Sequence, residues 1–366
     1  MKKVSIFCAP GFHKKTGYYF RCLRDAKNFE QCGYEVELFT FSLFRRQDDS
    51  EVNAKGVNLF DTLLSNKVKR DGLFIGENIS MVLPLLLLQF FSFTKKQKLG
   101  FVYHGSLDEL RYDSNGLIKY YLYRLFENLA DRKFDFVFLV SKAFSNLLVK
   151  QKRLQKIRHV ITPNLPDESF IKGLNTYKNK LDSEDENDKS SSRITLTYLG
   201  NAQKWQNIDY VVELCKQLYA IDQKVLVQFI TNEVAQISTK LLSAEAPPDS
   251  YSVFQVPNCD VPKYLVSSDC LIVIRDVNET NIVSCPTKAI EYIYSGSKLI
   301  VSETLGDISD LVLKYNLGIV LEKSKSNDFK SLYSSILNMK LQPKNTNVDR
   351  IIELDRKKLI KVYQEL

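Results

Sequence analysis

Glycine is scarce in this 366-residue chain, with only 14 residues, well under the ~7% of average usage. Two of them, Gly11 and Gly17, nevertheless fall in one short segment, PGFHKKTGYY, between an apolar run and a helix-like run. They allow a ligand to approach the backbone closely, or simply form a tight loop. The GxGxxG spacing is absent there, which removes the usual dinucleotide fingerprint. No Cys-x-x-Cys pair occurs among the seven cysteines, at 8, 22, 32, 215, 259, 270 and 285. That excludes a structural zinc site and a disulfide framework, and reads as reduced, buried thiols of a cytosolic protein. No apolar run reaches the ~20 residues a bilayer crossing needs; MVLPLLLLQFFSF, residues 81 to 93, has 13. The start, MKKVSIFCAP, enters a strand directly without a long apolar core, so no export signal is expected. Zinc-finger spacing, an RNA-recognition aromatic motif and a long basic helix are all missing, so nucleic acid is not an expected partner.

What is present is charge of uneven sign. Residues 1 to 180 hold 30 Lys and Arg against 18 Asp and Glu, and the remainder holds 21 against 25. A basic half suits an anionic membrane surface. The run 81 to 93, followed by Lys95, Lys96 and Lys98, is either a buried core helix or an apolar patch on such a surface. The length predicts two domains. Residues 1–170 form the first and 193–347 the second. A polar linker over 171–192 joins them, LDSEDENDKSSS being its solvated part. The segment 348–366 reads as an amphipathic helix that packs back on the first domain.

The stretch from Asp269 to Ser302 predicts a strand from Cys270, a polar loop from Arg275 to Ser284, a helix opened by Pro286 and stopped by Gly296, and a strand from Lys298. Strand and helix alternate elsewhere in the same way, so the fold class is α/β, with doubly wound parallel sheets. Ligands in such sheets sit beyond the carboxyl ends of the strands. At that end Ser284, Thr287 and Lys288 meet the start of a helix, where free amides and the dipole favour an anion. Glu291 lies one turn on, placed to accept from sugar hydroxyls. Ser284 as a plain cap and Glu291 as a surface acid are the alternatives. His104, followed by Gly105, ends another strand and is either a site residue or a structural histidine.

The order of these elements, with the Gly11 to Gly17 loop, His104-Gly105, FVFLVS ending at Ser141, ITPN at 161 to 164, LTYLGNAQKWQN at 196 to 207 and SCPTKAIEYIYSG at 284 to 296, resembles the GT-B glycosyltransferases. The likeness is to the retaining family 4 of the bacterial polysaccharide-assembly type. It implies two Rossmann-like domains facing a cleft, the first for the acceptor and the second for a nucleotide diphosphate sugar. It implies Ser284, Thr287 and the helix-start amides at the diphosphate, Glu291 at the ribose, Gly17 close to the donor phosphates and the backbone near Val256 at the base. Lys204 and Arg275 would meet the leaving diphosphate, and His104 would serve the transfer. No separate cofactor and no metal are implied, and no Asp-x-Asp stands in a suitable loop. The acceptor would be a saccharide, lipid-linked, in lipopolysaccharide or similar surface polysaccharide assembly, with retained configuration and a cytoplasmic, membrane-peripheral location. Two features depart from the family: Val283 stands where many members carry a glutamate eight positions before Glu291, and the usual Arg and Lys pair after Gly200 is blurred into Asn201 and Lys204. A GT-B sugar-nucleotide epimerase and a non-catalytic subunit are the rival readings.

Overall fold

The apolar runs Cys270–Val273 and Lys298–Ser302 become neighbouring parallel strands in which every residue is buried, as a sheet covered on both faces requires. The computed structural model describes residues 2–8, 17–42, 54–58, 72–91, 97–107, 110, 116–183, 193–203, 206–323, 327–342 and 348–366. The chain forms two units, Met1–Pro163 with Asp355–Leu366, and Asn164–Leu354.

In the first unit the described strands are β1 Lys2–Cys8, β2 Tyr34–Ser42, β3 Lys55–Asn58, β4 Leu73–Gly76, β5 Lys98–Tyr103, β6 Phe136–Leu139 and β7 Arg158–Ile161. They form one parallel sheet in the order β3-β2-β1-β4-β5-β6-β7. Helices Gly17–Gln31, Val82–Phe91, Gly116–Lys133 and Lys142–Lys150 connect them. In the apolar run at 81 to 93, Met81, Val82, Leu85 and Leu88 are buried, while Leu83 and Phe90 turn outward; residues 92 and 93 lie outside the described residues. Of the lysines after it, Lys98 donates to the Leu366 backbone oxygen at 2.8 Å, and Lys95 and Lys96 lie outside the described residues.

The second unit holds β8 Ile194–Leu199, β9 Val225–Ile230, β10 Tyr251–Phe254, β11 Cys270–Val273, β12 Lys298–Ser302 and β13 Gly318–Leu321. Their order is β10-β9-β8-β11-β12-β13, again all parallel. Both sheets therefore reverse direction of growth beside their first strand, between β1 and β4 and between β8 and β11. Such switch points open a crevice at the carboxyl ends.

Three expectations change. The polar loop from Arg275 to Ser284 contains a short helix, Glu279–Val283, because Asn278 accepts from the Asn281 N–H at 2.8 Å and caps it. A five-residue helix is too short to display a period. The linker over 171–192 begins inside a helix, Glu168–Ser183, that belongs to the second unit. Asp167 caps it by accepting from the Phe170 N–H at 2.7 Å, and Leu174 anchors it as a buried apolar contact, so polar composition concealed an ordered element. Residues 184–192 lie outside the described residues. Of the seven free thiols, five are buried, but Cys259 is exposed and Cys32 half-buried.

The last helix, Val348–Gln364, passes into the first unit from Asp355 onward. There the Tyr363 ring lies edge-on to Phe29 with centroids 4.5 Å apart. Its hydroxyl donates to Asp25 Oδ1 at 3.0 Å, and Arg21 Nε donates to Asp25 Oδ2 at 2.8 Å. A carboxylate removed from water needs this complete set of partners. No described helix is long and apolar enough to cross a membrane.

Candidate functional site

In the second unit, chemistry gathers where β8 and β11 end. Arg275 stands two residues beyond β11. Its N–H donates to Ser302 Oγ at 3.1 Å, and its Nη1 donates to Asn281 Oδ1 at 3.3 Å. Asn281 is fully buried and donates through Nδ2 to the Asp276 oxygen at 2.8 Å, so the guanidinium hangs from a fixed amide. Beside it the Tyr198 hydroxyl donates to the Asn201 oxygen at 2.8 Å, stitching down the turn after β8. A side chain on Gly200 would run into that hydroxyl, which is why glycine stands there.

The helix Thr287–Ser295 opens at the same end. Pro286 takes its N-cap position, and the first intrahelical bond is from the Ala289 N–H to the Pro286 oxygen, 3.0 Å. The amides of Thr287 and Lys288 precede that bond and lie at the positive end of the helix. The turn before it is held by Asn164, whose Nδ2 donates to the Cys285 oxygen at 2.7 Å. Tyr292, wholly buried, accepts the Leu199 N–H at 2.9 Å and so ties this helix to the end of β8.

Burial sets the electrostatics. It pushes the Lys288 ammonium down to about 8; Glu291 pulls it back up, and the positive Arg275 adds to the depression. It pushes the Glu291 carboxyl up to about 7, opposed by Lys288 and assisted by Asp167. Arg275 is also lowered by burial. Two cations drawn out of water beside a helix N-terminus make a receptor for an anion.

The expected site residues therefore divide. Arg275, Lys288 and Glu291 are together. Thr287 is exposed at the helix start, and Ser284, instead of capping it, donates to the Asn281 oxygen at 2.9 Å and closes the preceding helix. Val256 is half-buried two residues beyond β10, at the carboxyl end of an edge strand. Lys204 lies outside the described residues. Gly17 begins the helix Gly17–Gln31 in the first unit; the loop before it also lies outside them. His104 directly follows β5 in that unit, beside Glu77 at the end of β4. A side chain added at Gly105 would meet no atom within 4 Å. Sequence reasoning missed Glu233, Tyr198 and Asn281. Glu233 accepts the Ala202 N–H at 2.6 Å and acts electrostatically on Lys288. Its place just past β9 was the available signal. Among the described residues no group of three or more His, Cys, Asp or Glu is arranged to hold a metal ion.

The sequence matches no protein-family model and no curated protein. Solved structures do match over the whole length. HepE of Anabaena, in complex with UDP, superposes with a TM-score of 0.62 at 13% identity, covering 100% of this chain and 98% of that one. The chain has the GT-B fold. Sucrose-phosphate synthase of Thermosynechococcus elongatus gives 0.60 at 14% identity, with 100% and 95% covered. WaaG, a glycosyltransferase involved in lipopolysaccharide biosynthesis, gives 0.56 at 12%, with 99% and 94% covered.

Proposed function

We propose that this protein is a glycosyltransferase that moves a sugar from a nucleoside diphosphate donor, held by the second unit, to a saccharide acceptor on the first. The observation that carries this reading is the desolvated pair Arg275 and Lys288 at the switch point, beside the start of the helix Thr287–Ser295. A diphosphate supplies the charge those groups lack. Thr287, Lys288 and their amides take the diphosphate, with Ser284 at its margin, and Glu291 takes the ribose hydroxyls. The backbone near Val256 meets the base, and Gly17 lies close to the donor phosphates. Lys204 and Arg275 stabilise the negative charge that grows as the glycosidic carbon–oxygen bond breaks. The departing phosphate oxygen accepts the proton of the incoming hydroxyl, the new bond forms on the same face, and configuration is retained. His104 hydrogen-bonds the sugar or the acceptor.

HepE solved with UDP and with UDP-glucose favours a uridine donor, and WaaG favours a lipid-linked saccharide in surface polysaccharide assembly. The acceptor then brings the protein to the cytoplasmic face of an anionic membrane. The test is a panel of nucleotide sugars read by thermal shift, followed by transfer to lipid-linked saccharides. A ligand at a hundred times its Kd stabilises by roughly 2.7 kcal/mol, and absence of any shift across the panel rejects the reading. Val283, 1% exposed inside the helix Glu279–Val283, favours a second reading as a non-catalytic subunit. Donor binding without turnover, beside an active control enzyme, selects it.

A further inference from the structure

We infer that the outward face of the helix Gly116–Lys133 docks on an anionic lipid surface. The helix carries a broad exposed apolar arc. At about 100° per residue, Leu117, Ile118, Tyr121, Leu122 and Leu125 share one arc, and all five are 45% to 84% exposed. The inward arc holds Phe126, Glu127 and Ala130, all buried, with the half-buried Arg124 at its edge. Glu127 accepts from the Tyr103 hydroxyl, from Arg124 Nη1 and from Arg153, whose Nε lies 3.2 Å from Oε2. The inward face, Phe126 and Ala130 with the paired Glu127, is thus satisfied inside the unit, and a second apolar arc is left facing outward. A surface helix ordinarily presents polar residues outward, and a contiguous exposed apolar patch marks a site of interaction. The neighbouring helix Val82–Phe91 packs beside it and turns out Leu83 and Phe90.

Charge identifies what covers this face. Residues 116 to 125 contain the exposed Lys119, Arg124 already paired with Glu127, and no carboxylate. Of the helix's acids further on, Glu127 is buried in its ion pairs and Asp131 Oδ1 accepts the Lys156 N–H at 2.7 Å. Residues 1–163 with 355–366 hold 31 Lys and Arg against 18 Asp and Glu. An apolar arc with a tyrosine and the neighbouring Lys119 has the composition of a helix lying in the plane of a membrane interface, and anionic lipid attracts such a basic unit. A second copy of this chain would bring two positively charged units together, which opposes self-association through the same face.

This rests on the reading that the protein works at a membrane surface, and names the element that reaches it. The test is co-sedimentation of the full chain with vesicles of phosphatidylglycerol and phosphatidylcholine, against vesicles of phosphatidylcholine alone. The double variant Ile118→Glu with Leu122→Glu is compared with Leu313→Glu, an exposed leucine on the helix Asp307–Tyr315 of the second unit. Wild type and Leu313→Glu are expected to bind the anionic vesicles and to release as salt rises. The double variant should lose at least about tenfold in partitioning with its circular dichroism unchanged. Should it fail to fold, Tyr121→Ser with Leu125→Ser serves in its place. Wild type that binds neither vesicle overturns the inference together with the membrane reading. Variants that bind like wild type overturn the inference and leave that reading standing. Dimers in light scattering that the variants abolish, without vesicle binding, assign the face to a second copy and overturn it too.

Discussion

His104 Nε2 lies 2.7 Å from the backbone oxygen of Glu77 and 3.4 Å from its Oε1. A carbonyl only accepts, so Nε2 carries a proton and donates to it. Glu77 is itself fixed: its N–H donates to the Phe7 oxygen at 2.8 Å, and its Oε2 accepts from Asn78 Nδ2 at 3.1 Å. The ring is thereby oriented at the carboxyl ends of β4 and β5. Proton transfer or hydrogen bonding by such a group contributes ~10²–10⁴-fold. His104→Ala is expected to lower transfer by at least about tenfold while nucleotide affinity, which the proposed function assigns to the second unit, stays nearly unchanged. Near-normal turnover at saturating donor and acceptor assigns His104 a structural role.

Glu291 sits one turn into the helix Thr287–Ser295, in the same site as Lys288. If it accepts the ribose hydroxyls, Glu291→Ala weakens nucleotide binding by roughly 1.5 to 3 kcal/mol, the scale of a hydrogen bond to a charged group. Calorimetry with UDP measures this directly. Equal affinity of wild type and variant, both folded, removes Glu291 from the nucleotide site.

The same two residues set a pH window. Glu291, raised to about 7, gains a proton below that value and ceases to be a carboxylate acceptor. Lys288, lowered to about 8, loses its charge above that value. Affinity for a nucleotide sugar, whose bridging diphosphate does not titrate in this range, should therefore fall on both sides, toward pH 5.5 and toward pH 9.5. Glu291→Gln is expected to flatten the acid limb and Lys288→Met the alkaline one. A profile level from pH 5.5 to 9.5 contradicts both assignments.

Much of the fold was legible because burial on both faces leaves uninterrupted apolar runs, as at Cys270–Val273 and Lys298–Ser302. Gly296, at φ 82°, marked a helix end that only a residue without a Cβ accepts readily. The helix Glu168–Ser183 was hidden because its buried contact is carried by few residues, Leu174 among them, in a polar stretch. In the site, position along the helix located Glu291, but not its desolvation. That comes from packing in three dimensions, including the bond between Tyr292 and the end of β8. Asn281 and Glu233 escaped for the same reason. Each acts through a partner distant in sequence or across a turn, Asn281 on Arg275 and Glu233 on the Ala202 amide and Lys288.

Arg275 offers the sharpest separation of binding from chemistry. Its guanidinium is held by Asn281 Oδ1 at 3.3 Å and its backbone by Ser302 Oγ at 3.1 Å, so it is oriented before any ligand arrives. A preoriented charge acts most where charge develops, and losing one such donor costs about 10²–10³ in kcat. Arg275→Ala is therefore expected to lower kcat by that order, with a smaller change in KM for the donor. Arg275→Lys keeps the charge but not the planar fork, and should fall between the two. Asn281→Ala leaves Arg275 present and unanchored, so it should lower kcat less than Arg275→Ala does. Steady-state transfer kinetics at saturating acceptor, with thermal melts to confirm folding, provide the check. A kcat for Arg275→Ala within about threefold of wild type leaves the departing diphosphate to other groups.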